Sequence, residues 1–334
     1  MDTRRALLDA LDDGPVSGPA LADDLDVSRA AVWKAVEALR EEGFAVESTP
    51  NGYVAPDDPP YTAAGIEYGL NAPYAVEFHD AVGSTNDRAR ELAADGASDL
   101  VVVADEQLGG RGRLDRQWTA PSGGVWASVL TRPDVPPAHA PAFTLAVAVA
   151  VTDACRELGV DAYIKWPNDV LVGDGSPVGD GRSGVSSGRA SDDRARGGRK
   201  LAGILTEMEG EADQVSWLVV GPGVNANIDA EELPTGATSL REQCGADIDR
   251  RRFLQRLLER YHELTAAPDR ILPAWRERTS TIGARVRVDT AAGEVHGVAV
   301  DVEFPGGLVV DTGDEHVRVH AGDCEHLRPV GNER

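Results

Sequence analysis

The spacing of apolar residues changes twice along this chain, and those two changes restrict its possible folds more than any single motif does. Residues 1–60 carry a helical period. Ala6, Leu7, Ala10 and Leu11 repeat at helix spacing, Leu21 and Leu25 do so again, and Val32, Val36 and Leu39 form a third stripe after Ser28, a residue type suited to cap a helix N-terminus. Only Asp24-Leu25-Asp26-Val27 is left as a turn between the second and third stripes. A short helix, a tight turn and a longer helix make the helix-turn-helix pattern. Phe44-Ala45-Val46-Glu47, Pro50-Asn51-Gly52 and Tyr53-Val54 then read as strand, hairpin turn and strand, which adds a wing, and Asp57-Asp58-Pro59-Pro60 reads as a linker.

From about residue 62 to 270 the pattern becomes mixed. Ala75–His79, Leu100–Ala104, Val125–Leu130, Ala162–Lys165, Val170–Val172, Leu201–Thr206 and Ser216–Val220 are predicted strands, with helices at Asn86–Ala94 and Phe143–Leu158 and two more at Asp249–Leu264 and Asp269–Arg278. Several strands follow one another without a helix, so a mixed sheet is expected rather than a strict series of parallel crossovers. The last fifty residues change again. Arg285–Val288, Val295–Val302, Leu308–Val310, His316–Val319 and Cys324–Leu327, separated by glycine-containing turns, predict a small five-stranded barrel. Gly173–Arg199 fits none of these units. It is Gly, Ser, Arg and Asp with Val178 and Val185 as its larger apolar residues, too few to offset the entropy of ordering it, and it is expected to be a disordered insertion.

At 334 residues, with roughly 100–200 residues per domain, the chain has room for two or three domains and a sizeable core. The longest apolar run, around Phe143–Val151, falls short of the ~18 residues needed to cross a bilayer, and MDTRRALLDALDDG has acids where a signal peptide needs an apolar stretch. A cytoplasmic protein with no membrane partner is expected. Cys155, Cys244 and Cys324 are far apart and odd in number, which suggests neither a disulfide framework nor a zinc cluster but three inert core residues.

Acidic side chains number 56 and basic ones 33, for a net charge of −23, and only three of the 33 are lysine: Lys34, Lys165 and Lys200. Such a surface repels itself in dilute salt and stays dispersed where salt shortens the repulsion to a few ångströms, which points to a salt-rich cytosol. In a chain that uses arginine nearly everywhere else, a lysine is expected where a compact ammonium rather than a planar fork is needed.

Five short segments carry chemistry. Gly109-Gly110-Arg111-Gly112-Arg113-Leu114-Asp115-Arg116-Gln117-Trp118 offers successive backbone N–H groups and three guanidiniums, an anion-binding loop that lacks the Gly-Lys-Ser/Thr ending of a Walker A motif. Lys165-Trp166-Pro167-Asn168-Asp169 presents a cation, an amide and a carboxylate together at one sheet edge. Lys200-Leu201-Ala202-Gly203-Ile204 puts a lysine at the mouth of an apolar strand with Gly203 leaving room for a ligand, and Gly221-Pro222-Gly223-Val224-Asn225 has the same small-residue logic. Ser84-Thr85-Asn86 either reads a small polar head group or caps the helix that follows it.

In this order and context the five segments, with Gln107 ahead of the arginine loop and Arg116-x-Trp118 at its end, resemble biotin protein ligases over nearly the whole chain. With the helix-turn-helix present, the resemblance is to the type that is both ligase and biotin-operon repressor. It implies an α+β chain of three parts: a winged helix-turn-helix DNA-binding domain at 1–56, a central mixed-sheet α/β ligase domain at 62–280 carrying the insertion at 173–199, and a small SH3-like β-barrel at 283–330. It also implies a two-step reaction in which biotin and ATP give biotinyl-5′-adenylate and a lysine of a carrier protein then accepts the biotinyl group.

By this resemblance Lys200, Arg111 and Asp169 would be catalytic. Ser84, Thr85, Asn86, Gln107, Gly110, Arg111, Gly112, Arg113, Lys200, Gly203, Leu205 and Gly221 would hold biotin, and Arg113, Arg116, Trp118, Lys165, Asn168 and Asn225 would surround ATP. Arg29, Lys34 and Arg40, on or beside the third helix, would meet DNA, with Arg4 and Arg5 near the start of the chain. The expected small molecules are ATP with Mg2+ and biotin, the last as both substrate and effector. The expected partner is the biotin carboxyl carrier domain of a biotin-dependent carboxylase, with operator DNA and a second copy of the chain as further candidates.

Two departures stand out. Asp115 replaces a glycine common in the family's loop, and the insertion separates two motifs that must meet, which a hairpin tip tolerates because each doubling of loop length costs only about 0.6 kcal/mol. A non-catalytic biotin-sensing repressor and a lipoate- or octanoate-type ligase are the alternatives. Lys165, Asn168, Asp169 and Lys200 favour catalysis, since a sensor needs only ring-binding residues. Residues 1–60 carry 13 acids against 5 bases, whereas a DNA-binding unit is expected to be basic, so any DNA contact would rest on local positive charge.

Overall fold

The computed structural model of the chain describes residues 3–12, 14–113, 116–173 and 198–327. The predicted insertion, apart from Gly173, Gly198 and Arg199, lies outside the described residues, as does Asp115.

Three helices open the chain: α1 (Thr3–Asp12), α2 (Gly18–Asp24) and α3 (Arg29–Glu41). Ser17 and Ser28 cap the second and third by accepting from the N–H groups of Ala20 and Ala31. The predicted stripes converge: Leu7, Leu8, Leu11, Leu21, Val32, Val36 and Leu39 are buried together with Phe44 and Val46. The wing hairpin pairs β1 (Glu47–Thr49) with β2 (Gly52–Val54) and starts later than the expected Phe44. The Phe44 N–H is taken by Leu39 O at the end of α3 and the Val46 N–H by Phe44 O, so both side chains turn into the core before the strand begins.

Arg4 and Arg5 are used inside the protein rather than beside DNA. Arg4 pairs with Glu42 at 2.7 Å and with Glu67 of the short helix α4 (Ala63–Glu67), and Arg5 donates to Leu70 O. These contacts seat the N-terminal unit against the central one.

The central sheet has seven strands in the order β3-β4-β5-β9-β8-β7-β6: β3 (Ala75–Val82), β4 (Leu100–Gln107), β5 (Val125–Thr131), β6 (Ala162–Lys165), β7 (Asp169–Val172), β8 (Arg199–Gly210) and β9 (Val215–Val224). β3 and β4 run parallel and every other neighbouring pair is antiparallel, which makes the mixed sheet expected. One face carries α5 (Thr85–Ala94) over Val102, Leu130 and Val219. The other is covered by α6 (Ala140–Glu157), which packs between β8, β9 and the helix Arg250–Ala266.

α6 is more extensive than the apolar run the sequence suggested. With the turn before it, it is long and apolar enough to cross a bilayer by composition, but 67% of that stretch is buried inside the protein, the behaviour of a core helix. β8 and β9 also outrun their predicted ends, so Gly221-Pro222-Gly223 lies within β9 rather than after it.

The C-terminal part is a five-stranded antiparallel sheet in the order β13-β12-β11-β10-β14, formed by β10 (Arg285–Thr290), β11 (Gly293–Glu303), β12 (Gly307–Asp311), β13 (His316–Val319) and β14 (Asp323–His326). Its buried Val286, Val288, Leu308 and Val310 continue the core under α6. It grips the Trp166 turn directly: Trp166 Nε1 donates to Gly306 O at 2.9 Å, and its backbone N–H to Thr281 Oγ1 at 2.9 Å. Cys155 and Cys324 are buried as expected and burial raises both thiol pKa values, Cys324 to about 12; Cys244, at the end of a short surface helix, is exposed instead.

Candidate active site

Alternation along the central strands determines which residues can line a site. Leu201, Ala202, Ile204, Val220 and Val224 join the core under α6, which leaves Gly203, Leu205, Gly221 and Gly223 for the α5 side. There they floor a cavity of about 270 Å³, closed by the N-terminus of α5, residues 111–113 and 116–118, the Asn168–Asp169 turn and Asp323 of β14.

One end is rich in amides and hydroxyls. Ser84 caps α5, accepting from Asp87 N. Gln107 Oε1 accepts both the Thr85 N–H, at 2.8 Å, and the Thr85 hydroxyl, at 2.9 Å. Asn86 donates to Glu207 Oε2 at 2.7 Å, and its carboxamide fits only because residue 221 is glycine: a Cβ there would come within 2.1 Å of Asn86 Oδ1.

The other end is charged. Lys200 Nζ lies 2.7 Å from Asp169 Oδ1 and 5.0 Å from the centre of the Trp118 ring. A side chain at Gly203 would approach Trp118 to 3.1 Å and Lys200 Cε to 3.2 Å. The arginine loop is a small hairpin, tied by Trp118 N to Gly110 O at 2.9 Å and by Gly112 N to Arg116 O at 2.7 Å. Each of its guanidiniums has a protein acceptor: Arg111 on Asp87, Arg113 on Asn168 Oδ1 at 3.0 Å and Gly322 O at 2.9 Å, and Arg116 on Asp323. Trp118 Nε1 is buried beside the cavity with no acceptor among the described residues, an orphan donor that suits a polar ligand above Gly223.

Most of the predicted residues therefore meet: Ser84, Thr85, Asn86, Gln107, Arg111, Gly112, Arg113, Arg116, Trp118, Asn168, Asp169, Lys200, Gly203, Leu205 and Gly221 all line the one cavity. Gly110, Lys165 and Asn225 do not. Gly110 is the neck of the loop hairpin. Asn225 is buried and its side-chain amide donates to Thr238 O at 3.0 Å, bracing a neighbouring turn. Lys165 faces the C-terminal sheet, where its charge, after burial itself, helps to push His326 down to about 4.

Ser128, Asp87 and Asp323 were missed. Asp323 lies 207 residues from Arg116 in sequence, and no local signal marks it. In the N-terminal unit Arg29 and Lys34 are exposed, as is Trp33 beside them at 55%, whereas Arg40 is engaged by Val46 O, Glu37 and Ser48.

Such a cavity takes an elongated small molecule whose uncharged polar head is read by amides and whose far end meets cations. Among the described residues no group of three or more His, Cys, Asp or Glu side chains could hold a metal ion. Residues 80–225 match the Biotin/lipoate A/B protein ligase family, residues 3–54 a helix-turn-helix domain and residues 281–327 the Biotin protein ligase C terminal domain. The chain is 34% identical over 327 residues to the bifunctional ligase/repressor BirA of Bacillus subtilis, covering 93% of each protein.

This chain belongs to the biotin protein ligase family.

Two further members are similar over less of its length. The biotin–[acetyl-CoA-carboxylase] ligase of Mycobacterium tuberculosis is 36% identical, covering 74% of this chain and 86% of that protein. The solved biotin protein ligase from Aquifex aeolicus in complex with biotin and ATP superposes with a TM-score of 0.59 at 25% identity, covering 76% of this chain and 99% of that one. This member of the family thus has the ligase fold preceded by a helix-turn-helix.

Proposed function

We propose that the cavity binds biotin with its ring system at the Thr85–Gln107 end and its carboxylate toward Lys200, and ATP between Trp118, Arg113, Arg116 and Asn168. The observation that carries this reading is the polarity of one continuous site, amides and hydroxyls at one end and Arg113, Arg116 and Lys200 at the other, with Arg111 reaching to Asp87 on α5. In the first step the biotin carboxylate attacks the α-phosphate and pyrophosphate leaves. Two anions must approach, so Arg111, Arg113, Arg116 and Lys200 act by positioning and by neutralising charge. Magnesium would arrive on the ATP phosphates, since a protein cage is not needed for that role, and would neutralise charge there.

In the second step the ε-amine of a carrier lysine attacks the acyl carbon and AMP leaves. Asp169, held at the charged end by its pair with Lys200, is proposed to orient that amine and take its proton. The chain divides on this reading into units at 1–56, 62–280 and 283–330, works in the cytoplasm, and takes a biotin carboxyl carrier domain as substrate. Incubation with ATP, labelled biotin and an acceptor domain in molar KCl tests it: transfer of label is expected, while no transfer, or transfer of lipoate in its place, would overturn it.

A regulatory role rests on α3, whose exposed Arg29, Trp33 and Lys34 lie on the helix that a helix-turn-helix lays in a DNA groove. Biotin-dependent retardation of the upstream region of the protein's own operon in molar KCl is expected; its absence would remove the repressor function and leave the ligase. A second copy of the chain is proposed to complete the DNA-bound form, and sedimentation with and without biotin reads that out.

A further inference from the structure

One hydroxyl on β5 serves two head-group residues at once. Ser128 is completely buried, and its Oγ lies 2.7 Å from Thr85 Oγ1 and 2.6 Å from Asn86 Oδ1. The register that pairs Trp126 with Gly223 and Val129 with Val220 sets Ser128 opposite Gly221, the residue whose missing side chain makes room for Asn86. The contact is therefore built by three elements of the fold: β5, β9 and the first turn of α5.

The direction of the hydrogen bonds has a chemical consequence. Thr85 Oγ1 gives its one hydrogen to Gln107 Oε1 and Asn86 Oδ1 can only accept, so the single Ser128 hydrogen is shared between Thr85 Oγ1 and Asn86 Oδ1. With Ser128 donating to it, Thr85 turns its own hydroxyl hydrogen onto Gln107 Oε1, which also holds the Thr85 N–H. Both lone pairs of that oxygen are then filled, and the Gln107 NH2 group becomes the part able to meet a ligand. A ligand carbonyl is satisfied by such an end; a ligand N–H in its place is not.

We propose that Ser128 is a positioning residue that sets the donor polarity of the head-group end, through Thr85 and Gln107, and so selects a ring system presenting a carbonyl oxygen. This rests on the biotin reading of the cavity and deepens it. Ser128 touches no reacting atom.

The test uses the full chain, with biotin and 2-iminobiotin, in which an imino N–H replaces the ureido oxygen, as calorimetric probes. Ser128→Ala is expected to weaken biotin binding about tenfold, to narrow the preference for biotin over 2-iminobiotin, and to leave the KM for ATP unchanged. In a Thr85→Ala background the same substitution should cost little more, because the two residues act in one chain of hydrogen bonds. Ser128→Cys, which keeps a weak donor at that position, should bind biotin more tightly than Ser128→Ala. An unchanged preference between the two probes, or full additivity with Thr85→Ala, would overturn the proposal. Failure of the wild-type chain to bind biotin would instead overturn the reading of the site, and this proposal with it.

Discussion

Lys200 and Asp169 form an ion pair, Nζ to Oδ1 at 2.7 Å, across the register of β7 and β8, and the same ammonium lies over the Trp118 ring. Strand pairing brings Asp169 level with Gly203, so the carboxylate reaches Lys200 across a position that has no side chain to block it. Two of the family's motifs thus share one charge centre.

Loss of that ammonium should be costly. Lys200→Ala is expected to lower the rate of biotin-dependent pyrophosphate exchange by about two to three powers of ten, as removal of one preorganised charge commonly does. Lys200→Arg should recover little of it, because a planar fork cannot occupy the space between Trp118 and Gly203 that a point charge fills. An exchange rate within tenfold of wild type for Lys200→Ala would contradict a catalytic role.

Asp323 is expected to matter less than its place in the cavity suggests. Its partner Arg116 is 65% exposed, and an ion pair so open to water is worth at most about 1 kcal/mol. Asp323→Asn should therefore raise the KM for ATP by less than about fivefold and leave biotin affinity as it is. Initial-rate kinetics at fixed biotin give the answer, and a change in biotin affinity would be incompatible with this assignment.

Gly221→Ala tests the shape of the head-group end. A methyl group would have to move the Asn86 carboxamide off Ser128 and Glu207, so biotin binding should fall by at least a hundredfold, while overpacking costs about 1–3 kcal/mol of stability. Calorimetric titration beside a urea melt separates the two effects, and retained affinity would argue against this geometry.

His326 gives the fold a pH dependence of known sign. Burial first, and the charge of Lys165 second, lower its pKa from 6.5 to about 4, so the folded chain refuses a proton that the unfolded chain accepts. Its contribution is whole above about pH 6.5 and is lost as the pH falls toward about 4, amounting to about 3 kcal/mol. His326→Phe should flatten the urea midpoint across that window; a wild-type slope in the variant would rule His326 out as the cause.

Much of this was legible in the residues themselves. The stripes of α1 to α3, the caps Ser17 and Ser28, and the alternation of the central strands are local properties, written in spacings of two or three to four residues. Most of the candidate site was legible as well, because its residues fall in short motifs. Local pattern misjudged the ends of elements: β9 continues through Gly221-Pro222-Gly223 because β8 supplies partners there, and Phe44 leaves the wing strand because α3 captures its N–H.

The three-part order of the chain, the residue content of the motifs and the family they resemble are readable along the backbone, since each is carried by residues close together in it. Which partners those residues meet is set by the fold. It spent Arg4 and Arg5 on joining two units, turned Lys165 toward His326, set Asn225 to bracing a turn, placed Ser128 behind Thr85 and Asn86, and brought Asp323 to the cavity. The physical reason is the same in each case: a side chain's partner is chosen by strand register and packing between elements far apart in sequence, and neither is encoded in the residues on either side of it.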